Sequence, residues 1–383
     1  MNEMHSLTKP RTQIIINLMK TKQAIKTIFL LIFTIFIFSC SQEANVNFEI
    51  GEITVIDSSL ILALKGYYPD GKLCTIQTGE NEWQMFWAEK NDYLTTAASP
   101  WPEDHCSGVK NSNLIFGKDK LNDNPEHKIT NFNEDGAWFI GVFPLNDPND
   151  GKYVGFFHAE SHYDNQGTAH KSIGAAYSDD SGRNWKNIQP IILSEQAKGT
   201  TPSWTGIGDG CVIRDRTSSR WICYYQGKAK DSGGSIDNRL CMAASDDPKG
   251  ESGTWKKWDG ESFSIPACNT ETMTGGRECA IKNLVKVPGA NPSVSWNEYL
   301  QKYVMVYASW SHKIYITFSS DAINWSKPVH VIGSKENPLW YPNLISEQGD
   351  TISTKYNRLY FSYQQDDDGK RKIAYVDIEF NLQ

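Results

Sequence analysis

The sequence predicts an all-β fold, a five-bladed β-propeller of four-stranded antiparallel blades, and three observations carry that prediction. Five aromatic pentads recur at intervals of about seventy residues. A second family of apolar segments follows each pentad. The 383-residue chain is also rich in turn formers and aromatics, with 29 Gly, 13 Trp and 17 Tyr, and its 39% hydrophobic content suits a sizeable core. No long amphipathic helix is evident after residue 40.

The pentads are WQMFW (83–87), YVGFF (153–157), WICYY (221–225), YVMVY (303–307) and LYFSY (359–363). Each carries a large apolar residue at both ends, as a buried strand requires. The following family is YLTTAAS (93–99), SIGAAYS (172–178), RLCMAAS (239–245), KIYITFS (313–319) and KIAYVDI (372–378). A third family precedes the pentads: KLCTIQ (72–77), AWFIGVF (137–143), GCVIRD (210–215), PSVSWN (292–297) and PNLISE (342–347). Fourth strands are visible as PIILS (190–194), SFSIPA (262–267) and VHVIGS (329–334). Such a unit repeated five times is the signature of a propeller, whereas two β-sandwiches would leave the matched aromatic strands unexplained. The last repeat ends after its third strand at Ile378, so the segment NFEIGEITVI (47–56) is expected to supply the missing outer strand and close the ring. One domain is expected over 46–383.

Lys20, Lys22 and Lys26 precede an apolar run over 27–38 that ends in Ser39-Cys40. A charged leader and an apolar stretch too short to span a bilayer read as an export signal over 1–40. Met19 is the more natural start, which makes 1–18 an extension. IFSC resembles a bacterial lipobox, which implies lipidation at Cys40 and a lipoprotein anchored to the outer membrane, periplasmic or surface-exposed. The formal net charge of −7 argues against nucleic acid as a partner. Seven cysteines remain after Cys40, and no C-x-x-C pair suggests a zinc ribbon. In an exported protein Cys268 and Cys279 are the simplest disulfide to form across one loop, and the odd count leaves a thiol unpaired.

SDDSGRNW (178–185) matches the Asp-box pattern S-x-D-x-G-x-x-W at Ser178, Asp180, Gly182 and Trp185, with degenerate copies at 245–255 and 319–325. Asp and Ser in such a turn accept backbone N–H bonds while Trp packs between blades, so the motif speaks to fold rather than chemistry. It recurs in sialidases, but the chain has no F/Y-R-I-P segment and no arginine triad. GDGCVIRDRTSSRWICYYQ (208–226) and ANPSVSWNEYLQKYVMVYA (290–308) resemble the strand-turn-strand units of five-bladed glycoside hydrolases of families 43, 32 and 68. A blade there often opens with Asp-Pro; here Gly210 follows Asp209, and Asn291 stands before Pro292. The resemblance covers most of the chain at the level of architecture and implies a glycosidase.

Alternate loops of a propeller lie on opposite faces, and in the related hydrolases one face carries the active site. On that face fall the loops leading into each blade and those joining second to third strands. Asp135, Asp209 and Glu278 lie in successive loops leading into blades. The resemblance implies, displaced by one blade, the order base, pKa-modulating Asp and acid. Glu278 is therefore expected as the acid with Arg277 beside it, and Asp209 or Asp135 as base or modulator. Glu89 and Glu160 both follow an Ala after an aromatic strand, which adds Glu160 to the catalytic candidates. His158, Glu160 and His162 alternate along one strand face and could hold a metal, contact sugar or move protons. No third His follows at a standard spacing, so neither metal nor cofactor is expected.

The expected substrate contacts are His158, His162, Tyr163, Lys171, Trp204, Arg277, Trp340 and Tyr341. Aromatic faces stack on sugar rings, and the basic groups of this face point to an anionic carbohydrate. Three readings follow: a lipid-anchored glycoside hydrolase acting on a poly- or oligosaccharide, a polysaccharide lyase using His162 or Tyr163 as base, and a non-catalytic glycan-binding surface propeller.

Overall fold

The aromatic pentads become second strands because they are buried on both faces between neighbouring sheets. These strands are Glu82–Phe86, Tyr153–His162, Trp221–Lys230, Lys302–Ser309 and Tyr356–Gln364. The computed structural model describes residues 46–56, 70–87, 94–108, 124–163, 167–230, 236–334, 336, 338–364 and 371–382. Five blades with antiparallel cores result, and nearly all of their residues lie within the compact unit Phe48–Asn381. First strands are Cys74–Gly79, Gly136–Pro144, Gly208–Arg214, Gly289–Asn297 and Leu339–Ile345; third strands are Leu94–Ala97, Ala169–Ser178, Ile236–Ser245, Ile314–Ser319 and Arg371–Leu382. In blade 3 the second and third strands pair without a break from Trp221↔Ser245 to Lys230↔Ile236.

The ring closes as expected. Val46–Ile50 flanks Arg371–Leu382 in the sheet of blade 5, and Thr54–Val55 pairs antiparallel with Ala374 and Tyr375. Strand numbers depart from four per blade. Blade 1 has three among the described residues, followed by the short helix Pro102–Gly108. Blade 3 has five: Lys256–Trp258 is its fourth strand, and the SFSIPA segment supplies the fifth, Phe263–Pro266. Asp259 builds the turn between them by accepting from the N–H groups of Glu261 and Ser262. Blade 2 gains a parallel strand, Thr205–Gly206, beside His170 and Lys171.

Tryptophans mortar the blades together. Trp185 of blade 2 meets Phe86 of blade 1 at 6.2 Å between ring centroids, Trp255 of blade 3 meets Phe156 of blade 2 at 5.7 Å, and Trp325 of blade 4 meets Tyr224 of blade 3 at 5.5 Å. Each is buried, so truncation to Ala is worth about 3–5 kcal/mol. Each Trp also ends a polar turn. Ser178 Oγ accepts from Gly182 N–H at 2.9 Å and Asp180 Oδ1 from Asn184 N–H at 2.9 Å, and Asp321 accepts from Ile323 and Asn324 in the corresponding turn of blade 4.

Blades 1 and 5 are also joined at the axis. Lys72 Nζ pairs with Asp350 at 2.9 Å and donates to Ser293 Oγ at 3.2 Å, Asp350 accepts from Thr75 N–H at 2.9 Å, and Leu73 N–H donates to Asn343 Oδ1 at 2.9 Å. Burial opposes the Lys72 charge most strongly, but Asp350, first among several neighbours acting the other way, helps raise the ammonium above the usual lysine range.

The cysteine expectation is corrected. Cys268 and Cys279 are both free thiols. Cys268 Sγ donates to the Pro190 carbonyl in blade 2, while Cys279 packs near Gly260 at the blade 3 hairpin. The two side chains are committed to different surroundings. The export segment, Cys40 and Glu89 lie outside the described residues. Among those described, no helix is long and apolar enough to cross a membrane.

Candidate functional site

Three blades present the same backbone device at the mouth. Asp209, Asn291 and Tyr341 adopt left-handed φ values of 49°, 51° and 51°, and each sits at a bulge where the first strand shifts register against the second. A bulge turns one side chain out of the pleat, and a positive φ away from glycine marks a position the surrounding structure over-determines. All three side chains line a two-lobed depression over the propeller axis.

The axial lobe is a cavity of about 270 Å³ lined by Asp70, Lys72, Trp138 and His158, among others. The outer lobe, about 530 Å³, runs over blades 2 to 5 past Lys171, Gln226, Lys228, Asn238, Trp310 and Trp340. Glu160, Trp204, Asp209, Asn291 and Tyr341 belong to both and form the waist.

His158, Glu160 and His162 do share one strand face. Both imidazoles converge on Glu160: His158 Nε2 lies 3.1 Å from Oε1 and His162 Nε2 lies 2.7 Å from Oε2. The Asp209 backbone N–H donates to His158 Nδ1 at 2.9 Å. A backbone N–H can only donate, so Nδ1 carries no proton and the ring hydrogen resides on Nε2, directed at Glu160. His158 thus spans Glu160 and Asp209, with Asp209 Oδ1 4.0 Å from Nδ1.

Glycine makes the approach possible. A Cβ on Gly208 would lie 2.3 Å from His158 Nδ1, and one on Gly206, at φ +79°, would lie 2.0 Å from the Lys171 carbonyl.

Two ionised carboxylates result. Burial alone would push the Glu160 carboxyl up, but the hydrogen bonds from His158 and His162, with Lys171 nearby, hold it below the usual range. Burial likewise works against the Asp209 charge, and Lys171, whose ammonium contacts Oδ2 directly, together with His158 holds the carboxyl below the usual range. Lys171 Nζ also stands 5.4 Å over the Trp204 ring. Trp204 is 52% exposed and Trp310 46%, and Trp310 meets Trp340 edge-on at 5.3 Å, giving the mouth an aromatic rim.

Other expected residues are placed elsewhere. Glu278 and Arg277 line neither lobe. The Glu278 side chain is 5% exposed and closed by Lys257, itself fully buried, at 2.5 Å. Burial pushes the Glu278 carboxyl above the usual range against the pull of Lys257. Asp135 Oδ2 accepts from His162 N–H at 2.7 Å, fastening the strand end. Tyr163 is buried, its hydroxyl 3.2 Å from Thr205 Oγ1, with Lys198 stacked over its ring at 5.1 Å. His162 lines neither lobe and reaches the site through Glu160.

Asp70, Lys72, Trp138, Gln226 and Asn238 escaped the sequence reading as site residues. The rule that selected Asp209, a carboxylate just ahead of a first strand, would have selected Asp70 in blade 1 as well. Among the described residues no group of three or more His, Cys, Asp or Glu is arranged to hold a metal ion.

No protein-family model matches the chain, and no curated protein matches it in sequence. Among solved structures it is similar to the endo-1,5-alpha-L-arabinanase from Thermotoga petrophila RKU-1, at 11% identity and a TM-score of 0.46 over 82% of this chain and 71% of that one. It is similar to Zg3597, a family 117 glycoside hydrolase of Zobellia galactanivorans, at 9% identity and a TM-score of 0.47 over 90% and 92%. A third similarity is to the endo-arabinase from Bacteroides thetaiotaomicron VPI-5482, at 12% identity and a TM-score of 0.45 over 87% and 98%. At such identities and scores these likenesses leave the chemistry to the geometry of the mouth.

Proposed function

We propose that the chain is a glycoside hydrolase that cleaves a poly- or oligosaccharide at the waist of the mouth. One observation carries the reading: Asp70, Glu160 and Asp209, from three successive blades, line one cavity together with Trp204 and Tyr341. Glycosidic cleavage passes through an oxocarbenium-like state that carboxylates stabilise and needs a carboxyl to protonate the leaving oxygen. Glu160, held ionised by two imidazoles, serves as base or nucleophile. Asp209 supplies the fixed negative charge beside the developing cation. Proton delivery falls to Asp70, the third carboxyl of the axial lobe.

Reducing-sugar release across a polysaccharide panel tests this, with Glu160→Gln and Asp209→Asn as controls. Turnover that survives both substitutions overturns the assignment. Glycan capture without turnover is a second reading, favoured by one observation: neither Glu160 nor Asp209 is raised in pKa, as a proton donor would be. Binding by wild type with no product on any glycan would select it. Export and lipidation at Cys40 belong to the same proposal, and metabolic labelling with palmitate, lost in Cys40→Ser, tests them.

A further inference from the structure

The charges lining the two lobes are distributed unevenly. Around the axial lobe and the waist stand the carboxylates Asp70, Glu160 and Asp209. The cations there are spent internally, Lys72 on Asp350 and Lys171 on Asp209. Lys228, at the end of blade 3's second strand, lines the outer lobe and is exposed. Among the described residues no carboxylate lies within ion-pair distance of it. Beside it Gln226 lines the same lobe at 8% exposure, with an Oε1 that carries no hydrogen bond, and Asn238 pairs directly opposite Lys228 in the strand ladder. Trp310 and Trp340 form the far wall.

We infer that the substrate carries its negative charge in the outer lobe: a neutral sugar occupies the axial lobe, and the unit linked to it bears a carboxylate or sulfate that meets Lys228. The inference rests on the hydrolytic reading for which unit is released, and on the charge map alone for where the anion sits. An acidic ring in the axial lobe would face like-charged carboxylates in a confined space, which disfavours it. In the outer lobe the same ring gains an ammonium partner and a buried amide acceptor for a hydroxyl, and the two tryptophans accept its apolar face. The axial lobe, smaller than an ordinary ligand pocket of roughly 300–1,000 Å³, is lined by Lys72, itself paired with Asp350, and suits a single terminal ring. Cleavage is therefore from a chain end, and the acidic unit leaves with the remainder.

Quenching of intrinsic tryptophan fluorescence in the full chain tests the charge map independently of turnover. The probes are a disaccharide with a neutral non-reducing residue linked to a reducing-end galacturonate, its carboxyl-reduced form, and the reversed disaccharide with galacturonate at the non-reducing end. The first is expected to bind about three- to fivefold more tightly than the other two. That advantage should vanish in Lys228→Met and in about 1 M NaCl, where screening acts over about 3 Å. Equal affinities, preference for the reversed disaccharide, a gap that persists in Lys228→Met, or no binding by any probe overturns the inference. A charge preference without sugar release leaves it standing and removes the hydrolytic reading; release that ignores the carboxyl group does the opposite.

Discussion

Asp209 and His158 are tied main chain to ring: the Asp209 N–H donates to His158 Nδ1 at 2.9 Å across a gap that Gly208 keeps clear. The bond fixes which imidazole nitrogen carries hydrogen, and so which one faces Glu160. His158→Ala leaves the Asp209 N–H without its acceptor. The expected loss is about 1–3 kcal/mol, read from urea unfolding. A midpoint equal to wild type would mean that the bond contributes nothing.

Substitution of the waist carboxylates should separate chemistry from folding. Glu160→Gln and Asp209→Asn are each expected to lower kcat by a factor of about 10²–10⁴ on whichever glycan the wild type cleaves. The measurement is single-substrate kinetics on protein first shown to be folded by near-ultraviolet circular dichroism.

Glu278 should behave differently, because its partner Lys257 is fully buried. Glu278→Gln leaves that ammonium without its counter-charge and is expected to destabilise the fold by about 3–5 kcal/mol. Turnover per folded molecule should stay within a few-fold of wild type. The double replacement Lys257→Met with Glu278→Leu should recover most of the stability. A catalytic Glu278 would invert the pattern, with turnover lost and stability kept.

Acid should unfold the protein in two stages. Burial, and then Lys198, lowers His170 from 6.5 to about 4, and burial lowers His105 to about 4. Each is neutral in the fold and takes up a proton more readily when unfolded. Their contribution is complete above pH 6.5 and is lost as pH falls from there toward 4. Glu160 and Asp209 are depressed carboxylates, so theirs is complete above the unfolded values of about 4.3 and 3.9 and is lost as pH falls through the lower folded values. Unfolding midpoints across pH should therefore decline first between 6.5 and 4, and His170→Gln should shrink the decline in that portion alone, leaving the share of His105.

Trp310 stands 46% exposed against Trp340 and carries little of the core. Trp310→Ala is expected to raise KM about three- to tenfold through lost ring stacking. Thermal melting should not move, and a shifted melting temperature would assign the residue to packing instead.

The fold was legible because its strands are buried on both faces: an aromatic run such as YVGFF has one structural use, and its recurrence counts the blades. Trp185, Trp255 and Trp325 were legible as blade mortar because their turns repeat a pattern. The site was legible where its residues sit in loops leading into blades, as with Trp204, Asp209 and Tyr341, or along one strand face, as with His158 and Glu160. The Lys257–Glu278 pair crosses 21 residues with no spacing rule to announce it, so a carboxylate in a plausible loop read as an acid when burial had claimed it. The shared left-handed conformation of Asp209, Asn291 and Tyr341 was hidden for another reason. It belongs to the bulge rather than the side chain, and three different residue types fill it.

The seam between the first and last blades sets an order of events at birth. Thr54 and Val55 find their partners only at Tyr375 and Ala374, and Lys72 and Thr75 wait for Asp350. A chain still being synthesised can assemble blades 2, 3 and 4 in turn, while blade 1 lacks its neighbour and the axis stands open. Closing a loop of such length carries only a slowly growing entropy cost, yet it cannot begin before the final strand exists. The mouth, with residues drawn from every blade, is therefore completed last, and a truncated nascent chain holds most of the core and the His158, Glu160 and Asp209 contacts of blades 2 and 3 without the closed mouth around them.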